Sequence, residues 1–278
     1  MHIVRVATGD GPRFGSREDT HIRWFGRAMS PASLFEMTEE ELREQSAGSA
    51  EFVSSVGVRL LTPVPWPSKI VCVGLNYRDH ADESGQAPPK TPLLFAKFPS
   101  AVIGPGEPIS WPTGLTDQVD WEGELAVVVG APLQGGTSED CARAIFGYTA
   151  ANDVSARDLQ FGDGQWVRGK SLDSFCPLGP EIVTGEEFGD PQTKRLQTFV
   201  NGVCMQDGLT SNMIFPVADL LSWISGQISL GPGDLVLTGT PPGVGAFRTP
   251  PVFLVAGDVV EVRIDGIASL RSPVVGGR

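Results

Sequence analysis

The sequence predicts a strand-dominated α+β fold, on three observations. Thirty-four Gly and 23 Pro among 278 residues demand frequent turns, yet stay below the roughly 25–30% that marks disordered low-complexity chains. Apolar runs are many and short, of strand rather than helix length. Strand and long helix nowhere alternate regularly and no internal repeat is present, which disfavours a doubly wound α/β sheet. With 41% hydrophobic residues, a chain of this size buries a core without disulfide or metal staples.

The elements follow in order. His2–Thr8 alternates, breaks at Gly9-Asp10-Gly11 and resumes at Arg13–Ser16, the pattern of a hairpin. Thr38-Glu39-Glu40-Glu41 fits a capping box, with acids on the positive end of a helix expected to run to about Ser54. Pro63, Pro65 and Pro67 stiffen a linker, dividing a small N-terminal α/β domain (1–68) from a larger one (69–278). Strands are expected at Lys69–Leu75, Leu93–Ala96, Gly123–Val129, Gly147–Ala151, Glu181–Val183, Leu196–Val200, Leu235–Thr238 and Val259–Ile264. Helices fit Glu139–Ile145 and Ile214–Ile224, and the polar stretch 76–92 reads as a loop or short mobile helix.

Charge and cysteine usage narrow the function classes. A formal net charge of −12 repels polyanions, so neither nucleic acid nor an anionic membrane is expected as a partner. Four cysteines without a CxxC or close pair exclude a zinc ribbon and a redox dithiol. No signal-peptide core or membrane-length apolar run is present, which points to a reducing, cytoplasmic setting. With only three histidines, a three-His zinc site is nearly excluded.

The chemistry-bearing residues begin with Glu122-Gly123-Glu124. On a strand, residues two apart share a face, so Glu122 and Glu124 lie side by side at the entrance to an apolar run. Two adjacent carboxylates in a buried site need a cation; oxygen donors without histidine favour Mg²⁺ or Mn²⁺. The alternative is the wet face of an edge strand. Asp153, closing the apolar stretch before Val154-Ser155-Ala156-Arg157, is either a third ligand, with Arg157 and Gln160 reaching into the site, or a helix cap with Arg157 on the surface.

His80 and Glu83, three apart, meet on one helical turn, and such a pair suits a base that activates water; a lone surface histidine beside an acid is the plainer reading. Gly164–Ser171 matches the phosphate-loop pattern GxxxxGKS, but no buried strand precedes it, so that reading is rejected and Lys170 is kept as a lone cation for an anionic substrate. Leu237–Gly245 is a glycine-rich turn after an apolar strand. It is either structural or a source of N–H groups and the Thr240 hydroxyl for an oxyanion.

Taken in order, Val73-Gly74-Leu75-Asn76-Tyr77 with His80, Phe95-Ala96-Lys97 with Ser100, Glu122-Gly123-Glu124, Asn152–Asp158, Gly169-Lys170-Ser171 and Leu237–Pro241 resemble the fumarylacetoacetate hydrolase superfamily. The resemblance covers about 200 residues from Lys69, and residues 1–68 resemble the variable N-terminal domain of many bacterial members. It implies a mixed β-sandwich roll, a homodimer, and Mg²⁺ or Mn²⁺ on Glu122, Glu124 and Asp153. It further implies substrate contacts from Tyr77, Lys97, Arg157, Gln160, Thr240 and Lys170, with His80 and Glu83 on a lid. Some members have a fourth carboxylate ligand near the histidine; this sequence has no clear match.

The expected activity is metal-dependent C–C hydrolysis of a β-diketo acid of the acylpyruvate or fumarylpyruvate type. His80, oriented by Glu83, activates water, and Lys170 stabilises the departing enolate. An oxaloacetate-type decarboxylase and a 2-hydroxyhepta-2,4-diene-1,7-dioate-type isomerase share that enolate and stand as alternatives. A non-catalytic carboxylate-binding module is a more distant one.

Overall fold

The computed structural model describes residues 1–26 and 29–277. Among them strands outnumber α-helices nineteen to eight, and no helix exceeds nine residues. The strand-dominated α+β fold expected from the turns and short apolar runs is the fold observed. No helix among the described residues is long and apolar enough to cross a membrane.

Two mixed sheets dominate. The larger, of twelve strands, orders Phe52–Ser54, His21–Trp24, Gly11–Glu18, His2–Thr8, Cys176–Thr184, Ile145–Asn152, Gly123–Val129, Leu235–Leu237, Ile70–Gly74 and Leu93–Ala96, with two short strands off this path. His2–Thr8 pairs antiparallel with Cys176–Thr184, so one sheet runs through the N-terminal unit and the body. Between them Pro63, Val64, Pro65 and Pro67 are buried. The second sheet orders Val203–Leu209, Arg195–Val200, Val259–Ile264, Ile267–Gly277 and Ile109–Trp111.

Gly123–Val129 is buried along its whole length, as expected of a continuous apolar run covered on both faces. Leu125, Val127 and Val129 face a core shared with Leu196, Val262 and Ile264 of the second sheet. Ala126 and Val128 face the other way, against Leu34, Phe35 and Leu42 of the N-terminal helices. The strand that leads out of the carboxylates is thus clamped between two cores.

One expectation needs correction. The helix capped by Thr38 and Glu41 is Glu39–Ala47 and ends at Gly48 rather than near Ser54; Phe52–Ser54 instead finds an edge partner in His21–Trp24. Of the two readings of the polar stretch 76–92, the short helix is found, at Arg78–Glu83. It is held in place by Arg78 Nη1 donating to Met213 O at 2.9 Å and by Asn212 Nδ2 donating to Asp79 Oδ2 at 2.9 Å.

Candidate metal centre

The register of one strand pair builds the site. Gly123 lies opposite Asn152 and Glu124 opposite Ala151, which brings Glu122 and Asp153 to the same end. There the Asp153 N–H donates to Glu122 O at 2.8 Å, and the Glu122 N–H to Asn152 Oδ1 at 3.0 Å. Each of Glu122, Glu124 and Asp153 offers an oxygen within 4.8 Å of the other two, and all three residues are buried. The wet-edge reading of the two glutamates does not describe this arrangement.

Buried cations surround the cluster. Lys170 Nζ donates to Glu122 Oε2 and Asp153 Oδ2, both at 2.8 Å, and lies 5.0 Å from the Phe95 ring centre. Lys97 Nζ donates to Asp153 Oδ1 at 2.5 Å and to Val154 O at 3.1 Å. Arg157 Nη1 stands 2.6 Å from Glu122 Oε1 and donates to Gln160 Oε1 at 3.0 Å, while Nε donates to Asp120 Oδ2 at 2.9 Å. Lys170 ends the four-residue helix Val167–Lys170, which follows the helix Arg157–Gly162; a helix where a phosphate loop needs a strand agrees with rejecting that motif. A Cβ on Gly169 would meet Gln160 N at 2.5 Å and Ala156 O at 2.8 Å, both backbone atoms that cannot swing away. Gly169→Ala is therefore expected to cost about 1–3 kcal/mol in urea unfolding, the range for overpacking; wild-type stability would show that the approach is looser.

Charge does not balance among these groups. Asp120, Glu122, Glu124 and Asp153 face Lys97, Lys170 and Arg157, four carboxylates against three cations. Burial alone would raise Glu122, but Lys170 and Arg157 outweigh it and hold the carboxyl at about 2. Among the described residues Glu124 has no ion-pair partner; its Oε2 accepts the Gly239 N–H at 2.7 Å. Burial, then Asp153 and Glu122, push its carboxyl well above the usual carboxylate range. Among the described residues the buried Tyr77 hydroxyl has no hydrogen-bond partner, its phenol pushed up by burial and then by Glu124. An unmatched carboxylate within an all-oxygen donor set fits a hard divalent cation.

Without metal, this arrangement has a pH signature. A carboxyl raised in the folded state holds a proton that the unfolded chain has released, so stability falls as pH climbs above the ordinary glutamate value of 4.5. Glu122 acts oppositely: its contribution is present above 4.5 and is lost as pH falls toward about 2. In EDTA, Glu124→Gln is expected to unfold at higher urea than wild type near pH 8, with the gap closing toward pH 5. Parallel stability curves would show that Glu124 carries no excess charge.

His80 lies beside the cluster, one of the groups that help hold Glu122 down. Its Nδ1 is 3.1 Å from Glu83 Oε2, and Glu83 is fixed by the Gly243 N–H at 2.9 and 3.1 Å. Thr240 is committed within the protein: its hydroxyl donates to Gly123 O at 2.9 Å and accepts from Gln206 Nε2 at 2.7 Å. Three contributors went unread in the sequence. Gln206 accepts the Gly123 N–H at 2.9 Å from the unexpected strand Val203–Leu209. Asn152 holds the Glu122 amide, and Asp120 holds Arg157. Asp120 carried a readable signal, since it continues the two-residue spacing of Glu122 and Glu124.

A mixed β-roll with a buried Glu-Glu-Asp cluster under two lysines defines a class of fold and site suited to a hard metal and an anionic substrate. The chain belongs to the fumarylacetoacetate hydrolase family: the profile described as fumarylacetoacetate (FAA) hydrolase C-terminal matches residues 69–275, which bears out the resemblance drawn from the motifs. Several of its relatives carry enzyme names. Oxaloacetate tautomerase fahd2, mitochondrial, of Xenopus laevis is 45% identical over 249 residues, 87% of this chain and 77% of that protein. The structure of 2-hydroxyhepta-2,4-diene-1,7-dioate isomerase from Mycobacterium marinum is 40% identical, with a TM-score of 0.82 over 99% of this chain and 98% of that one. Fumarylacetoacetate hydrolase from Exiguobacterium antarcticum is 37% identical, with a TM-score of 0.88 over the whole of both chains.

Proposed function

We propose that this chain is a Mg²⁺- or Mn²⁺-dependent enzyme that forms an enolate from a 2-oxo or β-diketo acid, and that proton transfer on a 2-oxo diacid, a tautomerisation or isomerisation, is its reaction. The observation that carries the proposal is the unmatched carboxylate of Glu124 within the Glu122–Glu124–Asp153 cluster, next to a histidine fixed by its own acid. Those three residues would hold the ion, which when bound draws charge from the oxygens of a 2-oxo acid and lowers the cost of its enolate. Lys170 supplies fixed positive charge where the enolate oxygen forms. His80, oriented by Glu83, takes the proton from carbon and returns it. Tyr77 and Gln160 are the proposed substrate contacts. Arg157 and Thr240 are assigned to the frame, because their polar atoms are engaged by Asp120, Glu122 and Gln160 and by Gly123 and Gln206. Lys97, whose Nζ makes two hydrogen bonds as that of Lys170 does, keeps a third donor and is a further proposed contact.

C–C hydrolysis of an acylpyruvate is the second reading, favoured by the same His80–Glu83 pair, which suits activation of water. We further propose a catalytic unit of residues 69–278 bearing a small N-terminal unit, in a cytoplasmic homodimer. The test is to follow enol-oxaloacetate and an acylpyruvate by ultraviolet absorbance with Mg²⁺ or Mn²⁺, and to identify products. Accelerated ketonisation without new acids supports proton transfer. Pyruvate and a second acid from the acylpyruvate would favour hydrolysis, carbon dioxide from oxaloacetate would indicate decarboxylation, and no turnover of either would overturn the proposal.

A further inference from the structure

Asp120 is fully buried and has no part in the reaction proposed above. Its carboxylate accepts four hydrogen bonds: Oδ1 from the N–H groups of Trp121 at 2.8 Å and Gly245 at 2.7 Å, Oδ2 from the Ala246 N–H at 3.0 Å and Arg157 Nε at 2.9 Å. A buried carboxylate persists only when so paired. Here the pairing points in two directions.

On one side, the same Arg157 guanidinium reaches Glu122 Oε1 at 2.6 Å. On the other, Gly245 and Ala246 belong to the segment 243–248, which has no regular secondary structure and must be placed by anchors. That segment begins with the Gly243 N–H that fixes Glu83, and its Phe247 ring centre stands 5.8 Å from that of His80. The fit at the anchor is tight: a Cβ on Gly245 would stand 1.9 Å from Val252 O and 2.7 Å from Asp120 Oδ1. Arg248 Nη2 adds a second tie, donating to Met205 O at 2.6 Å.

We infer that Asp120 is a positioning residue: by joining segment 243–248 to the Arg157 guanidinium, it sets the His80–Glu83 pair at a fixed place relative to Glu122. This rests on the proton-transfer reading, yet the tie itself can be measured apart from it.

Asp120→Asn keeps the shape and one acceptor oxygen but turns a donor toward the Ala246 N–H and Arg157 Nε. In the Mn²⁺-loaded variant, kcat per folded molecule is expected to fall about 10²-fold while KM and the Mn²⁺ dissociation constant stay within about threefold, the pattern of a displaced catalytic pair. Amides 243–247 are expected to exchange hydrogen faster than in wild type, well below the unfolding temperature. A merely structural residue would lower the folded fraction and leave kcat per folded molecule unchanged. That result, or unchanged exchange at 243–247, overturns the inference. Mn²⁺ affinity falling in step with kcat would overturn it too, since Asp120 would then serve the ligand Glu122 alone. Should wild type turn over no 2-oxo acid, the reaction proposal fails and the exchange measurement still decides the tie. If Asp120→Asn does not fold, Ala246→Pro removes one of the four donors with Asp120 intact, and is judged by the same readouts with a smaller expected shift.

Discussion

Replacing Lys170 by Met is expected to lower the unfolding free energy of the metal-free protein by about 3–5 kcal/mol, the cost of leaving buried charge unpaired. The ammonium bridges Glu122 and Asp153 at 2.8 Å each and is buried. Burial works against its charge, but Asp153 and Glu122 outweigh that and raise its pKa. Without it, Glu122 keeps Arg157, Asp153 keeps Lys97, and the cluster carries one more uncompensated negative charge. Urea unfolding in EDTA measures the loss, and saturating Mg²⁺ should restore part of it, because a ligand of the native state stabilises by mass action, about 2.7 kcal/mol at a hundredfold excess over Kd. A loss under about 1 kcal/mol in EDTA would mean that water reaches the cluster and screens it. Turnover should vanish in either medium.

His80→Gln is expected to separate chemistry from metal binding. His80 is not among the three clustered carboxylates, so Mn²⁺ affinity should hold. Removing the proposed base should lower kcat by about 10²–10⁴-fold. Glu83 retains its Gly243 partner in the variant, which keeps the helix Arg78–Glu83 in place and makes the loss chemical rather than structural. Near-wild-type kcat in Mn²⁺-loaded His80→Gln would move the proton transfer to another group.

Much of this site was legible because it is local. Glu122 and Glu124 share a spacing of two, His80 and Glu83 a spacing of three, and Asp153 closes an apolar strand. What gathers them is not local. The pairing of Gly123 with Asn152 fixes where Asp153 meets Glu122, and register is set by which faces find a core. For the same reason Lys97 reads as a substrate contact in the sequence and sits against Asp153 in the structure. Gln206 was hidden by its strand: Val203–Leu209 alternates with exposed apolar residues and gives no clean burial pattern. The helix after Thr38 was right in its cap and wrong in its length, because capping chemistry marks a start, whereas the stop came from Gly48 and from a sheet edge open to Phe52–Ser54. Asp120 was missed although it continues the Glu122 and Glu124 spacing, since its partners, Gly245 and Ala246, lie more than a hundred residues away.

The central claim is that Glu122, Glu124 and Asp153 converge to hold one divalent ion. Anomalous diffraction from Mn²⁺-soaked crystals tests it most directly. The expected result is a single strong peak bonded to one oxygen of each, lost in Glu124→Gln crystals; an empty cluster at saturating Mn²⁺, or a peak held by other residues, would contradict it.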